Sequence, residues 1–259
     1  MDTRYWGPSG WQLLHLIAEE YPDMPKKQDA MHYELFFQSM KDVLPCRFCR
    51  ESTSNFMAQP EFSLHSALAS KHALTRWLYD LHNRVNKKLR DQCAEDPRVI
   101  CPPPDPSFEA VRAVYENLTR VTPTAIPGVD FLYAIVYNYP KTAKEITSDK
   151  LRYYFDFFIN LSHVYPYTPL RKILQSHIHE QTFYSVLQSR SKLMQWFDIL
   201  MRKLAQKTGG ERPGWNTVAY YASGCQKKTY RGKTCRNGRK VRNHKKTFKI
   251  THARLVTVS

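Results

Sequence analysis

The chain has 259 residues, enough for one large domain or two ordinary ones, and 42% hydrophobic with 13% aromatic residues is typical of a folded protein. No apolar run reaches the roughly eighteen residues that a membrane span needs. Motif-like sequence begins at Tyr5, leaving no room for a signal peptide. We therefore expect a protein with no membrane span that is not secreted by a signal of its own.

The net charge of +16 is concentrated at one end of the chain. From Arg202 onward the sequence holds 16 of the 39 Lys and Arg residues and 1 of the 23 acidic residues, which gives that end a charge of +15. The basic character therefore belongs to a tail, and the rest of the chain is nearly neutral.

Four helices are predicted near the N-terminus from the spacing of apolar side chains. The first starts near Gly10 with Ser9 as its cap and ends before Pro22. The others run from about Lys27 to Val43, from Cys46 to about Ala58, and from about Leu64 to Arg90. Short connections between them indicate a small antiparallel bundle.

Cys46 and Cys49 stand three residues apart, directly after Pro45. Proline is favoured in the first turn of a helix, and the helix N-terminus stabilises a thiolate. The spacing therefore predicts a redox-active pair at a helix start. Half of a zinc site is the alternative, but it requires a second closely spaced pair. The other four cysteines are more widely separated, so we expect redox chemistry and no metal site.

Side chains on the first and fourth predicted helices suit a ligand that carries rings and phosphates. Tryptophan offers a flat apolar surface, histidine and asparagine offer hydrogen bonds, and lysine offers charge for a pyrophosphate. The candidates are Trp11, His15, Trp77, His82, Asn83, Asn86, Lys87 and Lys88. Each histidine or tryptophan taken singly is more often a core residue. Their combination with the cysteine pair favours a ligand role.

Four motifs follow one another between residues 5 and 93. They are W-G-x-x-x-W-x-x-x-H from Trp6 to His15, Y-P at Tyr21, C-x-x-C at Cys46, and H-N-x-V-N-x-x-L from His82 to Leu89. In this order they resemble the Erv/ALR family of FAD-linked sulfhydryl oxidases. The resemblance implies an all-α fold whose first part is a four-helix FAD-binding bundle.

The resemblance also implies roles for residues of this chain. Cys49 is the cysteine next to the flavin, and Cys46 is the interchange cysteine that receives electrons from a substrate thiol. The residues implied to bind FAD are Trp6, Gly7, Trp11, His15, Tyr21, His82, Asn83, Val85, Asn86, Lys88 and Leu89. The implied reaction forms disulfides in protein substrates and reduces oxygen to hydrogen peroxide. A homodimer and a thioredoxin-like shuttle partner are implied as well.

The chain departs from the cellular members of the family at two places. Tyr79 stands where they carry a cysteine of a structural disulfide, and Arg90-Asp91 replaces their Gly-Lys. Cys93 therefore cannot make the family's bond, and with Cys101 it either closes a local disulfide or stays reduced. Forms without that disulfide resemble the oxidases of large cytoplasmic DNA viruses. The expected location is the host cytoplasm, in a viral factory, with the virion as a second place.

A second all-helical part is predicted beyond a proline-rich segment from Pro102 to Pro106, which is interpreted as a stiff spacer. Apolar stripes indicate helices at about 108–118, 131–136 and 151–161 and a long helical segment at 170–205, with a core of their own. An H-x-H-E cluster at His177 is interpreted as a solvated face. The expected organisation is an oxidase domain at 1–101, an accessory all-α domain at 102–206 and a loose basic tail at 207–259.

Two interpretations of the tail remain open. Cys225 and Cys235 lie among cations that lower a thiol pKa, so they suit a mobile dithiol that passes electrons to Cys46. Alternatively, the cysteines are incidental and the tail binds nucleic acid or an acidic partner. The alternative for the whole chain is a catalytically inactive nucleic-acid-binding or virion structural protein built on an oxidase-like bundle.

Overall fold

The computed structural model describes residues 1–95 and 101–223. Every regular element in those ranges is a helix, which confirms the all-α prediction. The α-helices are α1 Thr3–Glu19, α2 Lys27–Val43, α3 Arg47–Met57, α4 Leu64–Ala67, α5 Lys71–Glu95, α6 Phe108–Thr119, α7 Val129–Tyr137, α8 Ser148–Val164, α9 Thr168–His177, α10 Glu180–Val186, α11 Arg190–Thr208 and α12 Trp215–Ser223, with 3-10 turns at Pro60–Phe62 and Ala143–Glu145. None of these helices has the length and apolar character that crossing a bilayer requires.

Helix α1 begins well before its predicted start at Gly10. The carboxylate of Asp2 accepts a hydrogen bond from the backbone N of Arg4 at 2.9 Å, so Asp2 is the cap and the prediction of Ser9 was wrong. Pro8 lies inside the helix, where its missing N–H removes one backbone hydrogen bond. Burial of Tyr5 and Trp6 offsets that loss, because each ring contributes on the order of 2 kcal/mol.

The connection from α2 to α3 brings the cysteine pair to a helix start. Helix α2 has the predicted bounds, and the chain then turns at Leu44, whose backbone N donates to the carbonyl of Met40 at 3.2 Å. Cys46 is the extended residue that caps α3, with φ −123° and ψ 123°. Pro45 therefore precedes the cap. The sequence had suggested that Pro45 is part of the first turn, and the structure differs at this point.

The predicted fourth helix is two helices. Ser63 caps the short α4 by accepting a hydrogen bond from the backbone N of Ser66. Helix α5 then begins after Ser70, whose hydroxyl accepts a hydrogen bond from the backbone N of Ala73 at 3.1 Å. A serine that satisfies a free helical N–H is a strong start signal, and it overrides the continuous apolar pattern.

The later helices are packed directly on the first ones. Phe36 of α2 lies 5.7 Å, between ring centroids, from Phe157 of α8, and Trp6 of α1 lies 5.7 Å from Phe131 of α7. The buried apolar side chains form one cluster that runs through both parts of the chain. The core expected for the second part is thus joined to the core of the first.

The proline-rich segment is bound to α5, contrary to the expectation that it holds the two parts apart. We call Cys101–Ser107 the strap. The hydroxyl of Tyr79 donates to the carbonyl of Pro106 at 2.7 Å, and Arg90 donates to both carboxylate oxygens of Asp105, at 3.0 and 2.5 Å. A disulfide joins Cys93 to Cys101, with their Cα atoms 5.4 Å apart.

The predicted long segment at 170–205 is divided into α9, α10 and α11. His177, at the end of α9, stacks on Trp196 and has its Nε2 3.1 Å from the carbonyl oxygen of that residue. The solvated-face interpretation is therefore wrong for His177, whereas His179 and Glu180 are exposed as expected.

Part of the predicted loose tail is a helix. Gly209 ends α11 in the left-handed region, with φ 71°, as its linker signal suggested. The chain then forms α12, which returns to α1. Tyr221 stacks on Tyr5 with 4.3 Å between centroids, and its carbonyl accepts from the backbone N of Asp2 at 3.2 Å. Cys225 and Cys235 lie outside the described residues.

Candidate functional site

The two cysteines occupy the first turn of α3. The carbonyl of Cys46 accepts hydrogen bonds from the backbone N of Cys49 at 3.1 Å and of Arg50 at 3.0 Å. Arg50 also donates through Nη1 to the carbonyl of Leu44 at 2.5 Å, which fixes the chain that leads into the pair. Both thiols are free, so the pair is in the dithiol form. Cys46 is 3% exposed, and Cys49 is half-buried.

The pair shares its protons unequally. A hydrogen bond from the Cys49 thiol lowers the pKa of Cys46 to about 6, and burial opposes this shift. The backbone N–H of Cys49, the N-terminal ammonium of Met1 and the backbone N–H of Phe48 lower the pKa further. The same hydrogen bond and burial raise the pKa of Cys49, and the nearby ammonium of Lys88 acts in the opposite direction. The first proton lost therefore leaves a thiolate on Cys46, next to a protonated Cys49.

Helix α3 and the second half of α5 border an open part of the structure. None of the residues of α3, and none from His82 to the end of α5, is fully buried. Long side chains connect the two helices: Lys88 Nζ hydrogen-bonds Ser52, and the guanidinium of Arg84 lies 5.5 Å from the centre of the Phe56 ring. Ser52 lies one turn after Cys49, so Lys88 reaches the side of α3 that carries Cys49.

The half-exposed apolar side chains on these two helices fit a flat ring system. They are Phe48, Phe56, Met57, Val85 and Leu89. The ammonium of Lys88 adds a positive charge at the same place. An apolar cleft with a few placed polar groups is typical of a cofactor site. The residues present therefore fit a flavin nucleotide.

The two predicted histidines meet between α1 and α5. His15 Nε2 lies 3.1 Å from His82 Nδ1, and the ring of His82 stacks on Trp11 with 3.9 Å between centroids. His15 is 5% exposed, and its other neighbour is Tyr115 of α6, stacked at 4.7 Å with 14° between the rings. Burial, and then the neighbouring His82, hold the pKa of His15 well below its usual range, so His15 is neutral at pH 7.

The other predicted cofactor residues differ in whether they have free hydrogen-bonding groups or open space for a ligand. The indole Nε1 of Trp6 is buried and has no hydrogen-bond partner among the described residues, so it is a donor that a ligand could satisfy. Gly7 has no described atom within 4 Å of the place that a Cβ would take. Asn83, one residue after His82, is half-buried. By contrast, Tyr21 donates its hydroxyl to the carbonyl of Leu68, at 2.8 Å, inside the core.

Two further candidate residues are already engaged with the protein. Asn86 donates through Nδ2 to Asp105 at 2.9 Å, and Trp77 donates through Nε1 to the carbonyl of Phe62 at 3.0 Å. The structure thus brings Cys49 and Lys88 together between α3 and α5, and His15, His82 and Trp11 together in one ring cluster.

Sequence reasoning missed Ser52, Arg84, Asp105 and Tyr115. A signal existed for Ser52, since it lies three residues after Cys49 on a predicted helix. No local pattern indicates that Tyr115, in a later helix, reaches His15, because tertiary packing alone determines that contact.

Comparison with known proteins agrees with these features. The model of the Erv1/Alr family matches residues 8–99. A probable FAD-linked sulfhydryl oxidase of Acanthamoeba polyphaga mimivirus is 35% identical over 86 residues, which are 33% of this chain and 59% of that protein. The mitochondrial FAD-linked sulfhydryl oxidase of Saccharomyces cerevisiae is 32% identical over 89 residues, 34% of this chain and 45% of that protein.

A third relative, a putative FAD-linked sulfhydryl oxidase of Invertebrate iridescent virus 6, is 29% identical over 92 residues, 34% of this chain and 83% of its own length. The resemblance to the Erv/ALR family is therefore confirmed for the N-terminal part, and FAD is the cofactor to expect there. The matched segment spans only 59% and 45% of the mimivirus and yeast relatives.

Proposed function

We propose that the protein is an FAD-dependent thiol oxidase that forms disulfides in protein substrates. The observation that carries this proposal is the Cys46–Cys49 dithiol at the start of α3, beside the contact that Lys88 of α5 makes with Ser52. Its relatives bear the name FAD-linked sulfhydryl oxidase, and the matched segment contains both cysteines.

The cysteine pair exchanges disulfides with the substrate. A substrate thiolate attacks Sγ of Cys46 in the oxidised pair, the Cys46–Cys49 bond breaks, and Cys49 leaves as a thiolate. A second substrate thiolate then attacks the substrate sulfur of the mixed disulfide and releases Cys46. A thiol with a lowered pKa leaves faster, and this is the property that its surroundings give Cys46.

The chain offers FAD apolar surface, charge and hydrogen-bond donors. Phe48, Val85 and Leu89 would cover its rings, Lys88 would balance its phosphates, and Trp6 Nε1 would donate a hydrogen bond. When bound, FAD accepts the two electrons of the dithiol and passes them to oxygen, which yields hydrogen peroxide. The nearness of Lys88 to Cys49 supports the role of Cys49 as the cysteine next to the cofactor, and Cys46 would then exchange with the substrate.

Oxygen consumption with dithiothreitol tests the proposal. Wild type should consume oxygen and purify yellow, with a flavin band that denaturation releases as FAD. Cys46→Ser should keep the flavin and lose turnover, and so should Cys49→Ser. Surface variant Glu51→Gln, one turn further along α3, serves as the control. A colourless wild type without oxygen consumption would instead favour an inactive, basic binding protein.

The tail is proposed to supply a shuttle dithiol. Helix α12 is fixed on the N-terminal end of α1 by the Tyr5–Tyr221 stack, and Cys225 follows its last residue, Ser223, by two positions. Replacing Cys225 and Cys235 by serine should slow oxidation of a reduced thioredoxin-like protein but leave dithiothreitol oxidation unchanged. Equal rates with both substrates would remove the shuttle role.

The basic charge of the tail is proposed to bind nucleic acid or another acidic partner independently of catalysis. Removal of residues 224–259 keeps α12 with its buried Val218. This deletion should abolish a salt-sensitive affinity for DNA and preserve oxidation of a small thiol. A homodimer and a place in a viral disulfide pathway of the host cytoplasm, with the virion as a second location, complete the proposal. The viral relatives support the viral pathway, whereas the homodimer rests on the family resemblance alone.

A further inference from the structure

We propose that helix α6 and the strap form a further wall of the cofactor site, in which Tyr115 positions His15 and Asp105 positions the strap. This inference rests on the proposed function. Both elements lie beyond residue 99, where the match to the family ends. They would therefore be a contribution that this chain makes to its site from outside the matched segment.

Tyr115 covers the face of His15 that α1 and α5 leave open. The two rings are nearly parallel, with 4.7 Å between centroids, and Tyr115 is 8% exposed. The edge of His15 is held at the same time, because its Nε2 lies 3.1 Å from His82 Nδ1. With its face and its edge both fixed, the imidazole of His15 has one orientation. Loss of the Tyr115 ring would let it rotate and admit water.

Helix α6 packs against α1, and the stack of Tyr115 on His15 is part of this interface. His15 and Glu19 are one turn apart on α1, and Tyr115 and Arg112 are one turn apart on α6. Burial raises the pKa of Glu19, and the nearby guanidinium of Arg112 is the largest influence in the opposite direction. The ring stack therefore has a charge attraction beside it, one turn away on each helix.

The strap places α6 and also touches a predicted cofactor residue directly. Asp105 accepts from Asn86 Nδ2 at 2.9 Å and from both terminal nitrogens of Arg90. Phe108, the first residue of α6, packs edge-on against Tyr79 with 5.4 Å between centroids. One carboxylate therefore connects the family motif on α5 with the start of the added helix.

The test measures FAD binding to the full-length protein, by the quenching of flavin fluorescence during titration of the apoprotein. Tyr115→Leu should raise the dissociation constant about tenfold, because His15 would no longer be held in one orientation for FAD. Tyr115→Phe keeps the ring face and should stay within about twofold of wild type. Tyr139→Leu, which removes a buried tyrosine that packs on Tyr154 of α8, controls for general loss of stability, and the thermal midpoint of each apoprotein is recorded.

A second pair of variants does not depend on how well a core substitution folds. Asp105→Ala should raise the dissociation constant of FAD at least threefold. Asp91→Ala, which removes a surface ion pair with Lys87 on the same helix, should leave it unchanged. The inference is overturned if both Tyr115→Leu and Asp105→Ala bind FAD as wild type does, or if Tyr115→Phe is as weak as Tyr115→Leu. A wild type that binds no FAD would instead refute the proposed function.

Discussion

Cys46 acquires its acidity mainly at the start of α3. Its partners are the thiol and the backbone N–H of Cys49, the N-terminal ammonium of Met1 and the backbone N–H of Phe48. Sequence spacing was enough to predict the contact with Cys49, because C-x-x-C at a helix start brings the two thiols together, but it did not predict the approach of Met1. The two histidines were predictable as inward-facing residues, but their mutual hydrogen bond and the stack of His15 on Tyr115 were not.

Replacing Cys49 by alanine should raise the pKa of Cys46, since the largest cause of its lowering is the hydrogen bond from Cys49. In reduced wild type, alkylation of Cys46 by iodoacetamide should show a midpoint near pH 6. In Cys49→Ala the midpoint should move toward the ordinary thiol value of about 8.5. Peptide-resolved mass spectrometry measures this, with Cys225 and Cys235 as internal controls. An unchanged midpoint would contradict the assigned hydrogen bond.

Buried His15 should make the apoprotein less stable in mild acid. Its pKa in the folded state is lowered, so at pH 5 the unfolded chain binds a proton at this residue and the native state does not. The stabilising effect is present above the unfolded value of about 6.5 and is lost as pH falls below it. Urea unfolding at pH 5 and pH 7.5 checks this. His15→Gln should flatten the dependence by up to about 1.4 kcal/mol per pH unit. Equal slopes would show that His15 titrates in the fold.

At the scale of elements, apolar periodicity predicted the helix bounds correctly where the helix ends carry local signals. It failed where packing or an unrecognised cap determines the position at which a helix begins. Helix α2 has its predicted bounds. Helix α1 starts earlier because the Asp2 cap and burial of Tyr5 and Trp6 outweigh Pro8. The prolines of the strap predict a stiff spacer, whereas its position depends on Asp105, whose partners lie on α5.

The contact between α2 and α8 should contribute strongly to stability. Phe157 is fully buried and lies against Phe36 across this interface. Phe157→Ala should therefore lower the free energy of unfolding by about 3–5 kcal/mol. Tyr153→Ala, on the same helix but only partly buried, is the matched control and should cost much less. Chemical denaturation of both variants measures the difference, and similar losses would contradict the burial assigned to Phe157.

At the scale of the whole molecule, the continuous core makes the N-terminal and C-terminal parts one stability unit. We expect one cooperative unfolding transition for residues 1–223, observed at the same denaturant concentration by tryptophan fluorescence and by far-ultraviolet circular dichroism. A fragment ending at residue 101 would expose the faces of α1 and α2 that α7 and α8 cover, and should be insoluble. Two separated transitions would contradict this expectation. The boundaries at 101 and 206 are predicted from the sequence, and the hydrophobic core continues across both of them.

Helix α3, which has no fully buried residue, gives the molecule an uneven resistance to local opening. Amide hydrogens of α3 should exchange with deuterium sooner than those of α2 or α8, because little apolar surface holds the helix closed. A ligand that settles against α3 would slow that exchange, and it would protect the cysteine turn from proteases in the same proportion. The supply of riboflavin-derived cofactor would then govern how long the protein survives as well as how fast it works.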